Sequence, residues 1–177
     1  MSKFHVFCSV TDAFLTQVNR SISSTVSWLV FVMAITTTSI VIVRSVLDLG
    51  SVGAQESLTY MHAMVIMLAS AYAFKLDGHV RVDIFYRRFD SVGKAWVNAL
   101  GCSLFLLPLA LFTIAISWEY VAQSWGFKET SADAGGIPAV YLLKSLLLAF
   151  GVLLAFQAIA ELLRNVLQLT FTNHKDA

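Results

Sequence analysis

The sequence predicts an all-α, polytopic membrane protein: four transmembrane helices, with short interfacial amphipathic helices beside them. Composition is the first reason, because 58% of its 177 residues are hydrophobic and 13% are charged, against about 25% charged in an ordinary soluble domain. Clustering is the second. The apolar residues gather in blocks close to the roughly 20 residues that a hydrocarbon core of about 30 Å demands of a helix. The third is that the basic residues fall unevenly between those blocks, as they do where one face of a protein is cytoplasmic. A mean hydropathy of +0.74 agrees, and a net charge of +1 gives no ground for a nucleic-acid partner.

Met1 to Arg20 contains Lys3, Asp12, Gln17 and Asn19 and lacks a continuous apolar stretch, so no cleavable signal peptide is expected. In this cytoplasmic segment, residues 1–23, Val10, Phe14, Val18 and Ile22 recur every four residues with Asp12, Gln17, Asn19 and Arg20 between them. That pattern predicts a helix lying in the membrane interface. No charge occurs between Arg20 and Arg44, which gives the first span at about 24–43. Ser57 to Phe74 gives the second, at 57–74. The third, 95–118, is interrupted by Pro108, which a membrane helix tolerates as a kink where neighbours re-satisfy the freed carbonyl. The fourth starts at Pro138 after Gly135-Gly136 and runs to about residue 163. Trp28, Tyr60, Trp96, Trp118 and Tyr141 fall near span ends, where amphipathic rings prefer to sit. With no internal repeat or linker, the whole chain reads as one membrane domain.

Four spans put both termini and the 75–94 connection on one side. That side holds Lys3, Arg20, Lys75, Arg81, Arg87, Arg88, Lys94, Arg164 and Lys175; the other holds Arg44, Lys128 and Lys144. The first side is therefore expected to be cytoplasmic, and the outer connections, with Asp48, Glu56, Glu119, Glu129 and Asp133, mildly acidic. In the 75–94 connection Val82, Phe85, Tyr86 and Phe89 form an apolar face. Arg87 and Arg88, with Lys94, are then candidate anchors to lipid headgroups or a partner. The tail, 164–177, is cytoplasmic.

Candidate chemistry is sparse. Cys8 and Cys102 fit neither a disulfide framework nor a metal motif and read as free thiols. His5, His62, His79 and His174 do not form the pair of facing ligands that a membrane haem needs. No carboxylate lies deep in a span: Asp77, Glu119 and Glu161 sit at span ends, which argues against a self-sufficient proton-coupled exporter. Lys144 lies inside the fourth span and either snorkels to the interface or pairs with Glu119 or Glu129 across the outer face. Asn98 and Gln157 read as interhelical hydrogen-bonding residues. Ala69 with Ala73, Ala95 with Ala99 and Ser103, and Gly151 with Ala155 are small pairs at spacing four that permit close helix contact. No catalytic residue, cofactor or metal is expected.

The most distinctive stretch is Leu68 to Phe89, in which a helix end rich in small residues runs into Asp77-Gly78-His79-Val80-Arg81-Val82-Asp83. Asp83 lies four residues after His79 and four before Arg87, so in a helix the three share a face and can pair. A metal site of His79 with Asp77 and Asp83 is the rival reading, weakened by the lack of a further nearby ligand. This stretch resembles the signature of the small permease (Q-type, DctQ-like) subunit of tripartite ATP-independent periplasmic (TRAP) transporters. A weaker similarity covers Trp125, Glu129, Ser131, Gly136 and Pro138. The resemblance implies a non-catalytic scaffold in the bacterial inner membrane, supporting a large elevator-type subunit and the docking of a periplasmic substrate-binding protein. The system as a whole would import an organic acid with coupled sodium. Under it, Asp77, Gly78, His79, Arg81, Asp83, Arg87 and Arg88 are the structural signature, and the partners are the large subunit in about one-to-one ratio, the binding protein and phospholipids. The alternative is a membrane-anchor subunit of a respiratory oxidoreductase, and a lone small exporter is a third class.

Overall fold

A computed structural model describes residues 3–76, 86 and 88–173, with side chains described for 6–76, 86 and 88–170. The described residues form helices and no strand, in the order α1 (Lys3–Leu47), α2 (Val52–Lys75), α3 (Ser91–Gly101), a π-helical turn (Cys102–Leu106), α4 (Leu107–Gly126) and α5 (Val140–Asn173). Segments Val6–Leu47, Val52–Lys75, Ser91–Gly126 and Val140–Thr170 are each long and apolar enough to cross a membrane.

The first helix departs from its expected division. The predicted interfacial segment and the first span are one uninterrupted helix of 45 residues, about 67 Å long at 1.5 Å per residue. No proline or glycine occurs before Gly50 to stop it. Its hydroxyls turn back on their own helix: Thr25 donates to Ser21 O, Thr36 to Val32 O, Thr38 to Ala34 O and Ser39 to Ile35 O, at 2.8–2.9 Å. Each hydroxyl is thereby satisfied without water. The apolar face of the first turns is turned outward, as an interfacial helix requires, but one of the polar residues between is not. Val10 and Phe14 point outward, 62% and 65% exposed, whereas Asn19 is fully buried against protein rather than turned to water.

Ser51 caps α2 by accepting from Ala54 N, and Asp90 caps α3 by accepting from Gly93 N at 2.8 Å. The predicted kink at Pro108 takes the form of the wide turn just before it, where Leu107 N–H reaches back five residues to Cys102 O. The last helix begins at Val140 and continues to Asn173, ten residues past the expected limit, because the sequence from Arg164 to Asn173 has no helix breaker.

Helix α5 packs against each of the other helices. Leu154 and Ala155 meet Ala110 of α4, with Leu106, Leu107 and Phe150 around them. Small residues permit the approach. A Cβ added to Gly151 would lie 2.7 Å from Ile114 Cγ1 and 3.3 Å from Ala110 O. Ala95 and Ala99 are buried as their spacing predicts, but Ser103 is only half-buried, and on α2 the buried residue is Ala71 rather than Ala69 or Ala73. The substitution Gly151→Ile is therefore expected to destabilise the α4–α5 contact by about 1–3 kcal/mol through overpacking. Unfolding titrations in detergent, compared with a substitution at the exposed Phe112, check it; equal stability of the two variants would show that the contact tolerates a side chain.

Candidate functional site

Polar side chains concentrate at the two ends of the bundle. At one end, the loop 127–139 between α4 and α5 closes on itself through backbone bonds: Glu129 N to Ser124 O, Ser131 N to Ile137 O, Gly136 N to Asp133 O and Val140 N to Glu129 O, at 3.0–3.3 Å. Gly135 supplies a left-handed turn at φ +81°, and Lys128 adopts φ +51°. The loop is then fastened from α2. The Glu56 carboxylate accepts from the Ser131 hydroxyl and, at 2.6 Å, from Ile137 N–H. Glycine leaves room on both sides of this seam. A Cβ on Gly53 would come within 3.1 Å of Gly135 O, and one on Gly136 would run into Ser131 and the Glu56 carboxylate.

A second fastening joins the loop to α5. Lys144 forms an ion pair with Glu129, whose Oε2 also accepts from the Ser124 hydroxyl at 2.6 Å, and the ammonium lies 4.0 Å from the centre of the Tyr120 ring. Glu119, the other acid considered for Lys144, instead accepts from Gln123 at 3.1 Å. Beside this pair Trp125 and Tyr141 stack edge to face with ring centres 4.8 Å apart. Trp125 donates to Ser145 Oγ at 2.8 Å, and Lys128 sits 4.1 Å above Trp125 and 4.9 Å from Tyr141. This explains how Lys128 holds a backbone conformation unusual outside glycine: its ammonium is drawn over two aromatic faces.

At the opposite end a polar track runs along α5. Asn19 Nδ2 donates to Gln157 Oε1 at 3.0 Å and to Leu153 O at 3.2 Å. Gln157 donates onward to Glu161, which is paired with Arg164 at 2.6 Å. Gln168 reaches Ser91 O at 3.3 Å, tying α5 to the start of α3. Asn98 donates to the Tyr86 hydroxyl at 3.0 Å, and the Lys94 ammonium lies 5.7 Å from that ring. A cavity of about 410 Å³ opens between Lys75, Tyr86, Asn98, Glu161, Arg164 and Gln168.

The signature residues Asp77, Gly78, His79, Arg81, Asp83 and Arg87 lie outside the described residues, as does most of the expected interfacial helix from Val82 to Phe89. Arg88 is exposed. Among the described residues no group of three or more His, Cys, Asp or Glu side chains could hold a metal ion, and Cys8 and Cys102 are both buried. Sequence reasoning missed the Glu56 seam and the Asn19–Gln157 bond. The signal for the first was available, since Ser131 and Gly136 had been singled out without their partner in α2. Nothing in the sequence pairs residues 138 apart.

The hydrogen bond from Lys144, and next that from Ser124, hold the Glu129 carboxyl below the usual carboxylate range. A carboxyl lowered in this way contributes stability that is complete above its unfolded value of about 4.3 and drains away as pH falls through the lowered one. The 19F signal of fluorinated Trp125 should therefore hold steady from neutral pH to about 5 and change only under stronger acid. Glu129→Gln should abolish that acid transition. A Trp125 transition centred near neutral pH would break the assignment.

No curated protein and no solved structure matches the chain. The family model for tripartite ATP-independent periplasmic transporters, DctQ component, matches residues 15–168. That range takes in all four membrane-length helices, the fastened loop and the polar track on α5. It makes the oxidoreductase anchor the less favoured reading. The chain belongs to the DctQ component family, as the small multi-pass membrane subunit of a TRAP transporter in the inner membrane.

Proposed function

We propose that the chain is a scaffold: it holds the large elevator-type subunit in place and offers its fastened loop end to the periplasmic binding protein during sodium-coupled uptake of an organic acid. The observation that carries this reading is the double fastening of the loop 127–139 through Glu56 and Glu129. Transport requires a site that binds substrate and ions differently in two states. Here the carboxylates best placed to serve as such a site are already engaged by Ser131, Ile137, Ser124 and Lys144. Their bonds stiffen the surface, which suits a docking platform and not a carrier.

In this reading the loop end faces the periplasm and both termini the cytoplasm, as the basic residues require. Arg87, Arg88 and Lys94 then lie at the cytoplasmic headgroup layer, where each cation contributes about 1 kcal/mol near an anionic surface. Asp77, Gly78, His79, Arg81 and Asp83 shape the turn that leads there.

Affinity purification of the tagged chain from its native membrane should recover a much larger polytopic protein in about one-to-one ratio. Uptake should require both together with the binding protein. Recovery of the chain alone, with uptake by liposomes that contain nothing else, would refute the scaffold.

Topology is checked separately. A thiol placed at Asp133 should react with an impermeant reagent applied from the periplasm, and one at Arg88 only after the membrane is opened. The reverse pattern would invert the arrangement.

A further inference from the structure

The cavity of about 410 Å³ beside the polar track on α5 falls within the range of about 300–1,000 Å³ that small-ligand sites occupy. Three helices reach it where their sequences change from apolar to charged. Lys75 ends α2, Asn98 lies near the start of α3, and Arg164 follows the apolar part of α5. Those positions set the cavity at headgroup depth and not in hydrocarbon.

Its lining is rich in donors and carries an excess of positive charge. Lys75 and Arg164 contribute two cations against the one carboxylate of Glu161, and the Lys94 ammonium lies close by, 5.7 Å from the Tyr86 ring. Glu161 is already engaged by Arg164 at 2.6 Å and by Gln157 at 3.4 Å. Among the described residues Lys75 meets no carboxylate, and Arg164 Nε is enclosed without a hydrogen-bond partner. The Tyr86 hydroxyl accepts from Asn98 and so keeps its proton for another acceptor. An enclosed guanidinium N–H without an acceptor is costly. An oxyanion removes that cost, because a phosphate takes the arginine fork through two oxygens and a lysine as a point charge. Phe74 and the 42% exposed Val97 give the cavity an apolar edge, which favours a phosphate that carries acyl chains.

We propose that this cavity binds a phosphate group, supplied by an anionic phospholipid of the adjoining leaflet, between Lys75, Arg164 and the Tyr86 hydroxyl. Basic pockets between membrane helices take lipid headgroups by this chemistry. The site is built from this chain's own residues and does not rest on the scaffold reading.

The full chain in a neutral detergent tests it. With 15N-arginine labelling, the Arg164 Nε–H signal, identified by its loss in Arg164→Gln, should move when phosphatidylglycerol is added and stay in place with phosphatidylcholine, whose headgroup has no net charge. Inorganic phosphate at the same concentration separates the sources. Movement with phosphatidylglycerol alone assigns the site to a lipid headgroup; movement with both keeps the phosphate site and overturns the lipid as its source. Lys75→Gln should weaken retention of phosphatidylglycerol, counted by native mass spectrometry, about fivefold. Glu161→Gln removes the competing carboxylate and should strengthen retention, a gain that a damaged fold does not produce. A still Arg164 signal, retention unchanged in both variants, or equal retention of phosphatidylcholine overturns the proposal. Loss of the lipid when the large subunit assembles would give the cavity to that protein and overturn it as well.

Discussion

Hydrocarbon offers no hydrogen bonds, and the architecture follows from that constraint. Each backbone N–H and carbonyl in a span must find its partner within the protein, which leaves helices as the form a chain of this composition can take. The same demand reaches side chains. On α1 the hydroxyls of Thr25, Thr36, Thr38 and Ser39 fold back on carbonyls four residues earlier, so these side chains need no water. It reaches the connections too. The loop 127–139 sews its backbone together before α2 adds the Glu56 carboxylate.

Magnitudes separate what holds the bundle together from what sets its register. An interhelical hydrogen bond in a membrane is worth about 0.6 kcal/mol on average, so Asn19 with Gln157 cannot supply much of the stability. Packing supplies more: at Gly151 the cost of a single added side chain is about 1–3 kcal/mol, because α4 and α5 approach to the distance that glycine allows. The polar contacts act on specificity. The Asn19 Nδ2 group has two acceptors, Leu153 O and Gln157 Oε1, and a slip of one turn would separate it from both. Helix α1 is otherwise largely exposed along its outer half, and its alignment with α5 depends on this bond together with its packing against α2.

What the sequence revealed and what it hid follow the same division. Spans were legible because they are local: an uncharged block reports its own length and medium. Lys144 stood out for the same reason, as a cation within an apolar block, and two acids on the same outer face were identifiable as partners although the choice between Glu119 and Glu129 was not. The outward apolar face at the start of α1 was legible from Val10 and Phe14, whereas the burial of Asn19 was not, because its partner Gln157 lies 138 residues further on. The continuity of α1 was hidden by Asp12, Gln17 and Arg20, which interrupt hydropathy but not helix geometry. The Glu56 seam joins residues 75 and 81 apart, and no periodicity records such a pair.

The unequal ends of the bundle follow from its helix lengths. Even at a tilt of 40°, the upper end of the usual range, a core of about 30 Å takes up only about 26 residues of helix. Helix α1 has 45 residues and α5 has 34, so both must leave the hydrocarbon. At the loop end they cannot extend, because α1 stops at Leu47 and α5 starts at Val140, just beside the sealed connection. The excess therefore emerges at the other end, together with the start of α3. That is where Asn19, Gln157, Glu161, Arg164 and Gln168 are found and where the 410 Å³ cavity opens. One face ends flush with a loop fastened to α2 and α5; the other projects as a polar-walled bundle. A protein that moved cargo through itself would need polar groups at mid-depth with exits on both sides. Among the described residues the side-chain bonds that join helices gather instead at the two ends of the bundle, with packed small and apolar residues between them.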